Sequence, residues 1–202
     1  MIFRILVLLI IPITFYAQSA DDIIGKVQKK FDKIDNLKAK FSQTIYATQS
    51  MKSIHFEGEF YYKKEDSFII SLPNRKIISD GKSVWNYDEM ENKVVISDAE
   101  IDETSFSLKE IIYSYPKKCD LSLVEGNSEK HYIKAIPNDL ELSFKEVYLT
   151  INNKYLLSKV EIVDFNNMKF IFELFSISLN QNLDDKLFQF LPTDEVEVID
   201  LR

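Results

Sequence analysis

Hydrophobic side chains recur along this chain at two spacings, and each change of spacing marks a new element. Ile23, Ile24, Val27, Phe31 and Ile34 return at the helical period, with Lys26, Lys29 and Lys30 between them. Ser19-x-x-Asp22 precedes them as a capping box, so the pattern predicts an amphipathic helix with a wet lysine face. From Asn36 the period drops to two: Leu37, Ala39, Phe41, Gln43 and Ile45 take one face, and Lys38, Lys40, Ser42 and Thr44 the other. Next, Ile54, Phe56, Gly58, Phe60 and Tyr62 oppose His55, Glu57, Glu59, Tyr61 and Lys63. Phe68, Ile70 and Leu72 continue the alternation, followed by short strands over 75–79, 82–87 and 93–97.

A second helix is predicted over 105–115, capped by Thr104 or Ser105 and stopped by Pro116. Phe106, Leu108, Ile111, Ile112 and Tyr115 fall on one side of it. Strands over 120–125 and 130–136 follow, and then longer ones over 141–151, 155–164 and 169–179. These turn at Asn152-Asn153 and Asn166-Asn167, where asparagine supplies the positive φ that glycine otherwise would. A short piece over 187–198 closes the chain. The sum is about ten antiparallel strands with two inserted helices, forming one large curved sheet or an unclosed barrel. The stretch "SDGKSVWNYDE", Ser79 to Glu89, holds the chain's single tryptophan. Its Asp80-Gly81 reads as a two-residue hairpin turn, with Trp85 and Tyr87 on one face of the strand that follows.

Composition adds a reason to expect a cavity. The 15 Phe, 10 Tyr and one Trp lie mostly on predicted strands, where they suit a core between sheet and helices. A curved sheet holding only two short helices is also hard to fill, and the space left over suits an apolar ligand. At the N-terminus, basic Met1–Arg4 leads into the apolar run Ile5–Tyr16 and the small-residue junction Ala17-Gln18-Ser19. This is the form of a signal peptide over 1–19, with an apolar run short of the roughly 20 residues that span a bilayer. Residues 20–202 are then expected as one exported domain. Cys119 is the single cysteine, so that domain has no internal disulfide. With 25 basic and 32 acidic side chains, the net charge of −7 argues against nucleic acid or an anionic membrane surface as partner.

Candidate chemistry is thin. The chain has no nucleophile elbow, zinc-protease helix, paired-cysteine motif or phosphate loop. His55 and His131 stand alone on strands, and no metal or cofactor is expected. Glu57 and Glu59 share a strand face about 7 Å apart, a spacing that suits a hydrolase carboxylate pair but equally the wet side of a strand. Lys29-Lys30 reads as a helix face, and Lys63-Lys64-Glu65-Asp66 as a strand end. On the residues alone, a carrier of apolar ligands is favoured over an enzyme.

Several landmarks also come in a familiar order: the export leader, the helix, "FSQ" at Phe41–Gln43, "GEFYYKK" at Gly58–Lys64 and "IISDGKSVWNYD" at Ile77–Asp88. "SFSLKEII" at Ser105–Ile112 and "LFQFLPTDEVEVID" at Leu187–Asp200 complete the set. Over essentially its whole mature length the chain resembles the periplasmic outer-membrane lipoprotein carrier (LolA) family. That resemblance implies a mainly β fold: an unclosed half-barrel of ten or eleven antiparallel strands, its concave side covered by two or three helices. It implies a soluble, monomeric periplasmic carrier. Such a carrier takes acylated lipoproteins from an inner-membrane ABC transporter to an outer-membrane acceptor. Sheltering one fourteen-carbon chain is worth on the order of 10 kcal/mol, at about 0.8 kcal/mol per CH₂.

Carried onto this sequence, the resemblance places Val27 and Phe31 on the lipid cavity wall, with Ile45, Phe60, Tyr62, Phe68, Ile70 and Ile77 from the strands. Phe106, Leu108 and Ile112 join them from the second helix, which would act as a lid. Trp85 joins the wall too, or packs behind it. Where the family has Arg-Pro, this chain has Lys64-Glu65, which makes Lys64 the candidate lid latch without arginine's planar fork. Two alternatives stand beside the lipoprotein carrier: a carrier or sensor of another acylated molecule in the cell envelope, and an exported hydrolase using Glu57 and Glu59.

Overall fold

The predicted capping box opens the first helix. Helix α1, Ala20–Phe31, begins where the Ser19 hydroxyl accepts from the Asp22 N–H at 3.1 Å. The Asp22 carboxylate in turn accepts from the Ser19 N–H at 3.3 Å. Ile23, Ile24 and Val27 are buried along its apolar stripe. The computed structural model describes residues 18–47, 52–99, 107–138 and 142–202. Residues 1–17 of the expected leader, and Phe106 with the expected cap of the second helix, lie outside them.

Alternation then builds strands β1 (Asn36–Ala47), β2 (Lys52–Lys63), β3 (Ser67–Leu72), β4 (Arg75–Asp80), β5 (Ser83–Asp88) and β6 (Lys93–Asp98). After the second helix come β7 (Cys119–Gly126), β8 (Lys130–Pro137), β9 (Phe144–Asn152), β10 (Leu157–Asp164) and β11 (Lys169–Leu179). β12 (Glu197–Asp200) follows a 3-10 turn at Asp185–Phe188. All twelve join one sheet in the order β12-β6-β5-β4-β3-β2-β1-β11-β10-β9-β8-β7. β12 and β7 lie at opposite ends of that order, so the half-barrel stays unclosed. The strand beyond the expected ten or eleven is β12, which pairs with β6 in parallel and breaks the antiparallel meander.

Register assigns the faces. Ala39, Phe60, Ile70, Ile77 and Asn86 are successive cross-strand partners, as are Leu37, Tyr62, Phe68, Ser79 and Val84. These rows form the concave face, and their apolar members enter the main core with Phe41, Leu174, Leu149, Ile133 and the buried stripes of α1 and the second helix. Gly58 sits in β2 because a Cβ there would lie 1.9 Å from the Ser71 carbonyl oxygen. Between β4 and β5 the two turn residues are Gly81 and Lys82, one position later than expected. Gly81 has φ +86°, and a Cβ on it would lie 2.1 Å from the Glu65 carbonyl oxygen, so the β2–β3 and β4–β5 turns press together.

Two further expectations are corrected, and an open one is decided. The second helix covers 108–117 of the described residues and runs through Pro116 instead of stopping before it. Its middle, Glu110–Ser114, is wound as π-helix, and Tyr115 donates to the Glu110 carbonyl five residues back. This longer winding carries the helix past a residue that has no N–H to give. At the β9–β10 turn, Tyr155 takes the positive φ (58°), while the Asn152 side chain accepts from the N–H groups of Lys154 and Leu156. Trp85 pairs with Ile78 and Ile96, which puts it on the convex face, away from the cavity wall. There it packs with Ile69, Ile78 and Phe188, and Tyr87 meets Phe190 with ring centroids 4.9 Å apart.

In a chain beginning at Gln18, Ser19→Ala is expected to lower the unfolding free energy by about 1 kcal/mol. The measurement is a urea midpoint shift at unchanged slope.

Candidate functional site

Between α1, the second helix and the concave sheet lies a cavity of ≈ 20 Å³, lined by Val27, Phe31, Ile34, Leu108, Ile112 and Leu174 among others. That is about room for one water. Of the residues expected on the wall, Val27, Phe31, Leu108 and Ile112 line this cavity. Phe60, Tyr62, Phe68, Ile70 and Ile77 stand in the same buried cluster around it. Ile45 shares the concave face but lies outside that cluster. Residues not anticipated include Tyr155, Leu156 and Leu157, the apolar run that leads from the β9–β10 turn into β10. Three consecutive apolar residues beside a turn were the available signal, since a solvated turn does not need them. Lys26 on α1 holds Tyr155 in place, its ammonium 5.1 Å from the ring centroid and 3.3 Å from the hydroxyl.

The concave face runs on past the helices toward the β1–β2 end. Ile45 faces Ile54 and Phe170 across the strands, and Gln43 faces Phe56 and Phe172. Ile54 is 56% exposed and Phe56 37%. An apolar surface of this kind on a sheet face marks a binding site more often than a single exposed leucine does.

Polar contacts fasten the helices to each other and to the sheet. Pro116 cannot donate to the Ile112 carbonyl four residues back, and that oxygen accepts instead from Gln28 Nε2 on α1 at 3.0 Å. The Tyr113 hydroxyl donates to the Gln28 carbonyl at 3.3 Å and to the Asp32 carboxylate. Burial, together with that carboxylate, pushes the Tyr113 phenol up to about 12, so it remains a donor at neutral pH. Lys109 on the second helix pairs with Asp66 in the β2–β3 turn at 2.6 Å. Lys64, the expected latch, is placed elsewhere. Its ammonium meets Asp35 at 2.7 Å and its N–H donates to the Asp35 carbonyl, bracing the junction between α1 and β1.

Glu57 and Glu59 lie on the opposite, convex face. Glu59 accepts from the Tyr61 hydroxyl at 2.7 Å and faces Lys38 at 3.4 Å, which holds its carboxyl below the usual range. Glu57 meets His55 at 3.3 Å, and His55 meets the Thr44 hydroxyl at 2.9 Å. These are exposed contacts along a sheet surface. Among the described residues, no cluster of His, Cys, Asp and Glu could hold a metal ion, and no helix is long and apolar enough to cross a membrane.

Gln28→Leu should orphan the Ile112 carbonyl and lower stability by about 1–2 kcal/mol. Amide exchange should quicken over 108–117 well before it does in β9 or β10.

The sequence and the fold have known counterparts. The family model for outer membrane lipoprotein carrier protein LolA matches residues 32–191. The outer-membrane lipoprotein carrier protein of Histophilus somni is 25% identical over 184 residues, covering 89% of this chain and 88% of its own. That of Nitrosomonas europaea is 26% identical, covering 97% of this chain and 98% of its own. A crystal structure of an uncharacterized conserved protein from Thermus thermophilus shares the fold at a TM-score of 0.61. It has 14% identity and covers 90% of this chain and 98% of that one. The chain belongs to the outer membrane lipoprotein carrier family.

Proposed function

We propose that this protein is a soluble periplasmic carrier that shelters the acyl chains of lipoproteins. It would take them from an inner-membrane ABC transporter to an outer-membrane acceptor, with its leader removed on export. The observation that carries this reading is the concave face itself. It runs from the small cavity under the helices to the exposed apolar patch around Ile45, Ile54 and Phe56. Binding of this kind needs area and no chemistry, so the carrier works without a catalytic group.

The cavity under the helices is smaller by an order of magnitude than the roughly 300 Å³ of a small ligand pocket. An acyl chain must therefore displace the helices that fill the groove. Lid opening trades helix–sheet contacts for chain–sheet contacts of the same apolar kind, which keeps the exchange near balance. In this reading the latch is the set Asp66–Lys109, Gln28–Ile112 and Tyr113–Asp32, and Lys64 anchors the base from which α1 swings.

Two measurements test this. The mature protein recovered from a periplasm should carry triacylated lipoprotein in its mass spectrum. Recovery of a different lipid favours the alternative of a carrier for another acylated molecule, and a lipid-free protein whose deletion leaves lipoprotein sorting intact refutes both. For the latch, Asp66→Lys should speed loading of an acylated peptide, and adding Lys109→Asp should restore the slower rate. An exposed ion pair is worth about 0.2–1 kcal/mol, so the change should be about 1.5- to 5-fold. No change in loading removes this ion pair from the latch.

A further inference from the structure

The small cavity under the helices meets a second, wetter hollow at one side chain. This hollow, of ≈ 280 Å³, lies between the end of α1, the β2–β3 turn and the second helix, and Phe31 lines both spaces. Most polar groups around it are already engaged: Lys109 with Asp66, Tyr113 with Asp32 and Lys64 with Asp35. Tyr62 and Glu65 are the exceptions, and of the two Tyr62 alone is buried. It lines the hollow and is 6% exposed, and among the described residues its hydroxyl has no hydrogen-bond partner. Its ring already packs on Phe31 with centroids 5.0 Å apart, a task that phenylalanine would perform equally, so the hydroxyl is left to serve the hollow.

Burial, with Asp66 and Tyr113 nearby, holds the Tyr62 proton well above the ordinary tyrosine range, so this hydroxyl is a standing donor. Its partner must sit where an apolar interior gives way to a wet rim. The rim carries the carboxylates of Asp32, Glu65 and Asp66 against the ammoniums of Lys64 and Lys109, which disfavours an anionic head such as a free fatty acid or a phosphate. A neutral acceptor at the first carbon of an acyl chain fits both conditions.

Resting on the carrier reading above, we infer that the Tyr62 hydroxyl donates to an ester carbonyl of the cargo's acylglycerol group. The acyl chain then runs inward past Phe31, and the hollow holds the polar head.

The test compares a synthetic diacylglyceryl-cysteine peptide with its dialkyl ether analogue, which has the chains but no ester carbonyl. The wild-type protein should prefer the ester by about threefold to tenfold, the size of one net hydrogen bond, and Tyr62→Phe should erase that preference. Equal binding of ester and ether by the wild type, or a preference that survives Tyr62→Phe, overturns the inference and leaves the carrier reading standing. Failure of the wild type to bind either peptide refutes the carrier reading and this inference with it. The same Tyr62-dependent preference for free diacylglycerol over its ether supports the site and assigns it to the acylglycerol head. The wild-type comparison decides the matter alone if the variant does not fold.

Discussion

An inner sheet face built from Phe41, Phe60, Phe68, Ile70, Ile77 and Leu174 has to be kept from water, and the described chain offers two short helices to do it. Everything about the site follows from that shortage of cover. The helices reach far enough to bury the middle of the groove, where the residual cavity is ≈ 20 Å³. They do not reach the outer end, where Ile54 and Phe56 face solvent. A larger core would have closed the groove for good, and a smaller one would have left the sheet without a partner.

The fastening of the helices has a matching division of labour. Their apolar contacts with the sheet are unspecific, and an acyl chain can replace them with little net change. The polar contacts are specific, and no acyl chain can replace them. Pro116 is central here, because it denies the Ile112 carbonyl its partner within the helix and so makes that oxygen available to Gln28. The same proline, which in a straight α-helix would only cost stability, here joins two helices that must stay together or part together. The π-wound segment Glu110–Ser114 accommodates it without ending the helix.

Much of this was legible in the sequence, for physical reasons that also explain the rest. The capping box at Ser19 and Asp22 and the period-two runs through β1 and β2 are local signals, and they fold as read. So does the pairing of the β10–β11 hairpin, where Asn167 takes the positive φ expected of it. Trp85 shows the limit of such reading. β3, β4 and β5 each carry apolar residues on both faces, so alternation identifies which residues share a side but not which side is concave. Only the register with Phe60 and Ile70 decides it. Lys64 shows another limit: sequence marks the charged residue, but its partner Asp35 lies on a separate element, while Asp66, two positions on, meets the second helix.

The convex face gives Trp85 a task after all. The two stretches most telling in the sequence, "SDGKSVWNYDE" and "LFQFLPTDEVEVID", are far apart in the chain and pack as one unit. Phe188 enters the cluster of Ile69 and Ile78, with Trp85 packed against it, and the Phe190 ring packs tilted against Tyr87. The Tyr87 hydroxyl donates to the Asn92 side chain, whose amide donates to the Glu195 carbonyl at 2.8 Å. These contacts deliver the tail to the free edge of β6, where β12 pairs with it and Arg202 reaches the Ser83 hydroxyl at 3.0 Å. An open half-barrel exposes two strand edges by construction, and an uncovered edge invites pairing with other chains. Trp85, behind the cavity wall, holds down the segment that caps the β6 edge with a short strand.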